Sequence, residues 1–240
     1  MAIRAVWFDL DGTLLPMVQE DFVKAYFGAL AAKLAPYGYD PKKLVEAIWT
    51  GTGAMIKNDG SCLNEKRFWD SFAGIFGERV YEDAAVLDAF YEKEFDGVQK
   101  ACGYTPKAAE AIKIVKDAGL RVALATNPIF PAVATKKRIT WAGLDISDFE
   151  YVTTYENSSH CKPNPAYYQD ILNTLGLSAD EVLMVGNDVG EDMVASTLGM
   201  HVFLLTDCLI CREGHSSEGY EQGDFDALLA YLRALVEEKN

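Results

Sequence analysis

Apolar runs without polar alternation recur in the second half of the chain, separated by stretches with helical periodicity. Such runs lie within residues 120–125, 182–185 and 201–205, and at residues 5–8 near the start. An unbroken apolar run is typical of a strand that is covered on both faces, as in a parallel sheet. A further strand is predicted near 150–154. Helices are predicted between these runs, at about 105–119, 131–142, 165–175 and 190–198, and after Asp224. This alternation predicts an α/β protein with a Rossmann-like parallel sheet and helices on both faces.

Between Thr13 and about residue 120 the pattern is different, because no strand-like run occurs there. Apolar residues instead repeat at helical spacing, as in the stripe Phe68, Phe72 and Phe76. Four helices with aromatic inner faces are predicted, and together they would make a small bundle inserted after the first strand. We therefore expect an α/β core made of residues 1–15 and 103–240, with a helical insertion at residues 16–102.

Composition and charge narrow the classes of partner. The chain has 240 residues, of which half are apolar, and it carries 36 acidic against 22 basic side chains, a net charge of −14. Such a charge repels nucleic acid and anionic membranes, so neither is an expected partner. The apolar run at 5–8 is too short for a signal peptide or a membrane span. We expect a cytoplasmic protein.

The five cysteines are an odd number and are scattered along the chain, which argues against a disulfide framework. Reduced thiols are expected. Cys208 and Cys211 form a CxxC pair, but it lacks a second pair at zinc spacing, and a structural role is favoured. His160 lies two residues before Lys162 and is interpreted as a solvated loop residue rather than a site residue.

Two carboxylates follow the first predicted strand at once. Asp9 and Asp11 are separated by one residue, and Gly12 permits a sharp turn after them. Ligands of open parallel sheets bind at the carboxyl ends of the strands. Adjacent negative charges there are costly unless a cation neutralises them, so a hard divalent ion is the natural partner. An ordinary Asp-Gly turn is the alternative at this point.

The later strand ends offer complementary groups. Thr126 and Asn127 provide a hydroxyl, an amide and backbone N–H groups, which suit a phosphoryl oxygen. Lys162 precedes a helix whose start the prolines mark, and its ammonium could balance phosphoryl or carboxylate charge. After the strand at 182–185, three carboxylates occur within residues 188–192, a cluster that is repulsive unless it binds a cation or caps a helix.

The string Asp-Leu-Asp-Gly-Thr at 9–13 resembles the first motif of the haloacid dehalogenase-like superfamily. Thr126, Lys162 and the acidic segment 186–192 match its second, third and fourth motifs in order, so that the resemblance covers nearly the whole chain. It implies that Asp9 is the nucleophile and Asp11 the general acid/base. Thr126, Asn127 and Lys162 would bind phosphate, and the helical insertion resembles the family's type 1 cap. The implied function is an Mg²⁺-dependent phosphohydrolase that acts on a small phosphorylated metabolite through an aspartyl-phosphate.

The fourth motif departs from the family pattern, which opens with Gly-Asp. Here Gly186 is followed by Asn187, and the carboxylate comes one position later, at Asp188. Either Asn187 or Asp188 could therefore join Asp9 and Asp11 in holding the metal, and we favour Asp188 because a second charge contributes more than a neutral amide. Asp192 lies a helical turn further on and is expected to orient Lys162 or water molecules.

Other activities of the same superfamily can be weighed on single residues. A dehalogenase lacks the second aspartate, so Asp11 argues against one, and no lysine of the insertion stands out as the Schiff-base residue of a phosphonate hydrolase. A sugar phosphomutase shares all the core residues and is the main alternative. A non-catalytic binding protein would not need the intact set of Asp9, Asp11, Thr126 and Lys162. Segment 55–58 is our expectation for substrate contact, while the leaving group and the oligomeric state stay open.

Overall fold

The computed structural model describes residues 3–237 of the chain. Its six strands are β1 (Ala5–Phe8), β2 (Arg121–Leu124), β3 (Tyr151–Val152), β4 (Val182–Gly186), β5 (His201–Leu205) and β6 (Glu221–Gly223). They form one sheet in the order β3-β2-β1-β4-β5-β6, and every neighbouring pair is parallel. The predicted parallel α/β architecture is confirmed. β6 was not predicted, because its sequence Glu-Gln-Gly contains no apolar residue and it lies exposed at the edge of the sheet.

The chain leaves the sheet after β1 and is helical until it returns. The helices of this insertion are α1 (Gln19–Leu34), α2 (Pro41–Ile56), α3 (Asn64–Phe76), α4 (Arg79–Glu82) and α5 (Ala84–Glu92), followed by a 3₁₀ segment, Glu94–Ala101. Four of them correspond to the predicted helices, whereas α4 and the 3₁₀ segment are additional. Phe95 lies in this 3₁₀ segment, beyond the end of α5, and packs edge-on against Phe90 with 6.1 Å between the ring centres.

The two connections between the sheet and the insertion run side by side. Met17 and Cys102 form an antiparallel bridge, and the N–H of Gly103 donates to the carbonyl of Pro16 at 2.6 Å. These positions coincide with the limits expected from the sequence, 16 and 102. The aromatic side chains of the insertion belong to the same buried cluster as one layer of the sheet. Whether the insertion behaves as a domain of its own stays a prediction.

The remaining helices are α6 (Lys107–Asp117), α7 (Ala132–Trp141), α8 (Pro165–Leu175) and α9 (Phe225–Glu237). Asn164 caps α8 by accepting from the N–H of Ala166 at 3.0 Å, with Pro165 in the first turn. The helix predicted near 190–198 is instead a 3₁₀ segment at Met193–Leu198. The hydroxyls of Ser196 and Thr197 donate to carbonyls three residues back, at 2.7 Å each, and so favour the tighter turn over an α-helix.

Alternate residues of β1 enter two different hydrophobic layers. Val6 and Phe8 pack in the cluster that contains the buried faces of α6 and α9, whereas Ala5 and Trp7 pack against α8. All four are fully buried, which explains why the run has no polar residue. Burial of each large side chain is worth about 1.5–3 kcal/mol. The next residue, Asp9, thus follows directly from a fully buried strand in the middle of the sheet.

No helix within residues 3–237 is long and apolar enough to cross a membrane.

Candidate active site

One cavity collects almost all of the side chains that the sequence singled out. It lies between the carboxyl ends of the strands and the helical insertion, and its volume is about 470 Å³. The predicted residues that line it are Asp9, Asp11, Thr126, Asn127, Asn187, Asp188 and Asp192. Lys162 does not line the cavity, but its ammonium reaches the carboxylates on the cavity floor.

Lys162 joins two of the carboxylates. Its Nζ donates to Asp9 Oδ1 at 2.9 Å and to Asp192 Oδ1 at 2.6 Å, and the residue is only 1% exposed. Burial lowers the pKa of Lys162, but the carboxylates of Asp192 and Asp9 outweigh burial and hold that pKa well above its usual value. Burial likewise raises the pKa of Asp192, and Lys162 opposes this shift. The pair therefore places a fixed positive charge directly beside Asp9.

Asp9 is held in place from three sides. Its N–H continues the sheet by donating to the carbonyl of Val185 at 2.9 Å, and Lys162 holds Oδ1. The hydroxyl of Thr13 lies 3.2 Å from Asp9 Oδ2 and 2.9 Å from Asn187 Oδ1, so its single proton serves one of these oxygens at a time. Each oxygen of Asp9 keeps an unused lone pair, and Asp9 lines the cavity.

Asp11 has a partner that the sequence did not reveal. Arg138, on α7, is completely buried and donates from Nη1 to Asp11 Oδ2. The guanidinium also lies 4.4 Å from the ring centre of Phe130 and 3.3 Å from the hydroxyl of Thr135. Burial raises the pKa of Asp11, and Arg138 opposes this effect. One sequence feature could have indicated this contact: Arg138 lies four residues after Ala134, and therefore on the same face of the predicted helix.

The side chain of Asn187 is enclosed by protein groups. Its Nδ2 donates to the carbonyl of Cys208 at 2.6 Å, and its Oδ1 accepts from Thr13. Gly12 has a φ of +85°, and a Cβ at that position would lie 2.3 Å from Asn187 Nδ2. The glycine is thus needed both for the turn and for the close approach of this amide. Asn187 ties the loop after β1 to the loop after β4.

Asp188 is anchored differently. Its Oδ1 accepts from the N–H groups of Gly190 and Glu191, at 2.8 and 3.0 Å, and its Oδ2 accepts from Arg212 at 2.7 Å. Arg212 was not anticipated, since it follows an irregular segment without periodicity, and its side chain is 49% exposed. Asp188 therefore retains acceptor capacity on Oδ2, which faces a half-exposed partner.

Asp192 lies beneath the fourth-motif loop. Its Oδ2 accepts from the N–H of Asp188 at 2.9 Å, while Oδ1 faces Lys162. A Cβ at Gly186 would lie 2.2 Å from the Asp192 carboxyl group, so only glycine permits this approach. Asp192 therefore connects the end of β4, the loop that follows it and the buried Lys162.

Thr126 and Asn127 form the second strand-end loop. The carbonyl of Thr126 accepts from Thr153 at 2.7 Å and from the hydroxyl of Tyr167 at 2.8 Å, which fixes the loop. Asn127 donates to Glu191 at 3.0 Å, and its Oδ1 has no hydrogen-bond partner. Asp11 Oδ1 is likewise buried without a partner. Both residues line the cavity.

His160, for which the sequence predicted no role in the site, lies outside the cavity. Its Nδ1 is 2.7 Å from Asp170. All five cysteines are free. Of the segment 55–58, expected to touch substrate, only Ile56 lines the cavity, because Met55 is buried and Asn58 donates to the carbonyl of Cys62.

The fit to a metal depends on the type of donor. Within residues 3–237 no group of three or more His, Cys, Asp or Glu side chains is arranged to hold a metal ion. The predicted site instead combines two side-chain carboxylates, Asp9 and Asp188, with the backbone carbonyl of Asp11. All of these donors are oxygens, and both carboxylates have free lone pairs, which suits a hard cation that keeps several water ligands, as Mg²⁺ does. The residues present therefore fit Mg²⁺.

Comparison with known proteins places this geometry in a family. The family model for haloacid dehalogenase-like hydrolases matches residues 3–195. A phosphoglycolate phosphatase from Aliivibrio fischeri is 27% identical over 208 residues, which cover 85% of this chain and 84% of that protein. The structure of a haloacid dehalogenase-type phosphatase from Thermococcus onnurineus aligns with a TM-score of 0.60 at 18% identity, covering 96% of this chain and 98% of the other.

A 2-haloacid dehalogenase from Pseudomonas syringae aligns with a TM-score of 0.65, also at 18% identity, and covers 99% of this chain and 100% of its own. At such identities the structural likeness concerns the fold alone. The family match, in contrast, extends from the start of β1 to the acidic segment and includes every predicted site residue. The resemblance drawn from the motifs is thereby confirmed, and the chain belongs to the haloacid dehalogenase-like hydrolase family.

Proposed function

We propose that this hydrolase is an Mg²⁺-dependent phosphatase that acts on a small phosphorylated metabolite through an aspartyl-phosphate on Asp9. The observation that carries this proposal is the buried ion pair of Lys162 with Asp9, at 2.9 Å, in a cavity that Asp11 also lines. The names of relatives such as the Aliivibrio fischeri phosphoglycolate phosphatase support the reaction class.

Asp9 acts as the nucleophile. Its carboxylate is oriented by Lys162 and Thr13 and stands at the end of a rigid, fully buried strand. An unused lone pair of Asp9 attacks phosphorus, the bond from phosphorus to the alcohol oxygen breaks, and the phosphoryl group is transferred to Asp9. A single difficult displacement is thereby divided into two easier ones.

Asp11 supplies and removes the proton. Burial raises its pKa, so the carboxyl group keeps its proton to a higher pH than an ordinary aspartate does. It protonates the departing alkoxide, and the resulting carboxylate then accepts a proton from the water that hydrolyses the aspartyl-phosphate. Arg138 lies against the other side of this carboxylate and stabilises it between the two steps.

Neutral donors bind the phosphoryl oxygens, and one buried cation balances their charge from beneath Asp9. Thr126 offers its hydroxyl and the backbone N–H groups of its loop, and Lys162 lies beneath Asp9. Such fixed donors stabilise developing charge without reorganising during the reaction. Asp192 does not reach the phosphoryl group, and its function is to position Lys162.

The metal would be held by Asp9, Asp188 and the carbonyl of Asp11. When bound, Mg²⁺ supplies positive charge that lets an anionic phosphoryl group approach the carboxylate of Asp9. Asp188 is the better ligand, because its carboxylate contributes a negative charge, whereas the amide of Asn187 is neutral and its Nδ2 is held by the carbonyl of Cys208.

The helical insertion, residues 16–102, serves as a cap. It closes the side of the cavity opposite the strand ends, and its apolar side chains would exclude bulk water during the reaction.

The test is phosphate release from a panel of phosphorylated metabolites, measured with and without Mg²⁺. The wild type is expected to release phosphate from at least one compound, and Asp9→Asn to lose this activity while keeping its circular dichroism spectrum. Asp117→Asn, a change in an exposed ion pair with Lys113, is the matched control and should retain full activity. Equal turnover by the wild type and Asp9→Asn would refute the role of Asp9.

A further inference from the structure

The wall of the cavity opposite the catalytic carboxylates is aromatic and aliphatic. It is built by α1, α2, α3 and α5, and includes Phe27, Trp49, Ile56 and Trp69. Trp49 is 52% and Ile56 40% exposed, although both are large and apolar. Phe27 and Trp49 pack edge to face at 5.4 Å between ring centres. This wall lies where the part of a substrate beyond its phosphoryl group would extend.

The charges on the cavity are almost all negative. The insertion contributes Glu20 and Asp88, and no Lys, Arg or His of the insertion is among the described residues that line the cavity. Arg212 is the one basic side chain among those lining residues, and it comes from the core. It already faces Asp188 at 2.7 Å and Glu191 at 3.8 Å. An anionic leaving group would therefore find no uncompensated cation on this wall.

We propose, building on the function proposed above, that the substrate carries an uncharged, predominantly apolar alcohol or phenol as its leaving group. Moving a carboxylate from water to this wall would cost desolvation without a compensating ion pair. An apolar group would instead remove the exposed surface of Trp49 and Ile56 from water. A volume of about 470 Å³ lies within the range of pockets for small molecules. The site thus differs in preference from one that must bind the carboxylate of phosphoglycolate.

The same charge pattern bears on a second phosphate. A sugar bisphosphate would present a distal dianion to the wall that carries Glu20 and Asp88, so the cavity disfavours it by the same argument as a carboxylate.

The experiment compares three phosphate monoesters of benzyl alcohol that differ only at the para position: methyl, carboxylate and aminomethyl. The kcat/KM of the methyl compound is expected to exceed both of the others by about tenfold or more, the size of effect that a pocket contact supplies. A carboxylate compound that is turned over equally well or better would overturn the proposal. Preference for the cationic aminomethyl compound would overturn it as well, because the acidic residues Glu20 and Asp88 would then set the specificity.

Variants of the wall separate this proposal from the proposed function. Trp49→Ala should lower kcat/KM for the methyl compound by about tenfold and leave hydrolysis of acetyl phosphate unchanged, because acetyl phosphate is too small to reach the wall. Tyr37→Ala, which removes an exposed aromatic side chain of the insertion outside the cavity, should change neither. An equal loss in both variants would contradict a specific role of Trp49.

Binding provides a measurement that does not need turnover. The three esters are titrated calorimetrically into Asp9→Asn in the presence of Mg²⁺, and the methyl compound is expected to bind most tightly. If the wild type hydrolyses neither acetyl phosphate nor any compound of the metabolite panel, the proposed function fails. The order of the three binding constants still supports or refutes the preference of the cavity.

Discussion

Arg138 of α7, although completely buried, directs its guanidinium at the carboxylate of Asp11, 127 residues earlier in the chain. The ion pair connects the proposed general acid/base to a helix of the core. Arg138 is a positioning residue, because its contacts are with Asp11, Thr135 and Phe130 rather than with the space above Asp9.

The first prediction concerns the pH dependence of turnover. Arg138 lowers the pKa of Asp11 and so opposes the effect of burial. In Arg138→Met this opposition is lost, the pKa of Asp11 rises further, and Asp11 keeps its proton to a higher pH. The alkaline limb of kcat, where Asp11 loses the proton it must donate, should therefore move to higher pH. Pre-steady-state rates across the pH range measure this shift, and an unchanged limb in a folded variant would contradict it.

Arg138→Met should also lower the free energy of unfolding, by about 3 kcal/mol, because it leaves a partly buried carboxylate without its cation. The estimate is at the lower end of the usual range since Asp11 is 30% exposed and can take up a proton. Arg233→Gln breaks an exposed pair with Glu110 and serves as the control, with an expected loss below about 1 kcal/mol. Urea titrations of both variants give the comparison.

The second prediction distinguishes the two candidate ligands of the fourth motif. Asp188→Asn removes a negatively charged metal ligand and should weaken Mg²⁺ binding by about tenfold or more, because loss of even a hydrogen-bonding partner of a ligand costs about 10–100-fold in affinity. Asn187→Asp should instead lower stability, because its carboxylate would meet the carbonyl of Cys208 in place of a donor N–H. Calorimetric Mg²⁺ titrations and thermal unfolding separate these effects. Unchanged Mg²⁺ affinity in both variants would mean that the metal assignment fails.

The third prediction tests the close packing of β4 against Asp192. In Gly186→Ala the new Cβ would collide with the Asp192 carboxyl group, so Asp192 must shift and release Lys162. A large fall in kcat is expected even though Gly186 contacts no reacting atom. Gly74→Ala, in α3 with no atom within 4 Å of the added Cβ, is the control and should raise stability by about 0.5–1 kcal/mol. Full activity of Gly186→Ala would show that Lys162 does not depend on Asp192.

The fourth prediction separates the phosphatase from a sugar phosphomutase. A phosphatase releases phosphate from its substrate without a bisphosphate activator, whereas a mutase must return the phosphoryl group to a sugar. We expect that sugar bisphosphates do not stimulate turnover, in agreement with the two acidic residues, Glu20 and Asp88, on the predominantly apolar cavity wall. Isomer formation that depends on an added bisphosphate would exclude the phosphatase assignment.

Local pattern was sufficient for five of the six strands and for the residues at the strand ends. The run at β1 is apolar because it is buried on both faces, and the two carboxylates follow it directly, so both features are visible within residues 5–11. The string at 9–13 and the order of the later motifs indicated the family. The 3₁₀ segment at Met193–Leu198 was misjudged because hydroxyl groups, rather than periodicity, set its geometry.

Contacts between distant parts of the chain could not be predicted in the same way. Arg138 and Arg212 find their carboxylates only after the sheet has brought separate segments together. The hydrogen bonds of the Asn187 side chain with Cys208 and Thr13 likewise depend on loops that are far apart in sequence. Segment 55–58 was predicted to contact substrate, but only Ile56 of it lines the cavity. The polar side chain of Asn58 instead donates to the carbonyl of Cys62, within the insertion.

The central claim is that a phosphoryl group is transferred to Asp9, and trapping that intermediate tests it most directly. Asp11→Asn is mixed with Mg²⁺ and an activated ester whose leaving group needs no proton, then quenched in acid and analysed by intact mass and peptide mapping. The account predicts one added phosphoryl group, located on Asp9, because hydrolysis of the intermediate lacks its base. An unmodified Asp9 peptide in a variant that still binds the ester, or a phosphoryl group on another residue, would contradict the account.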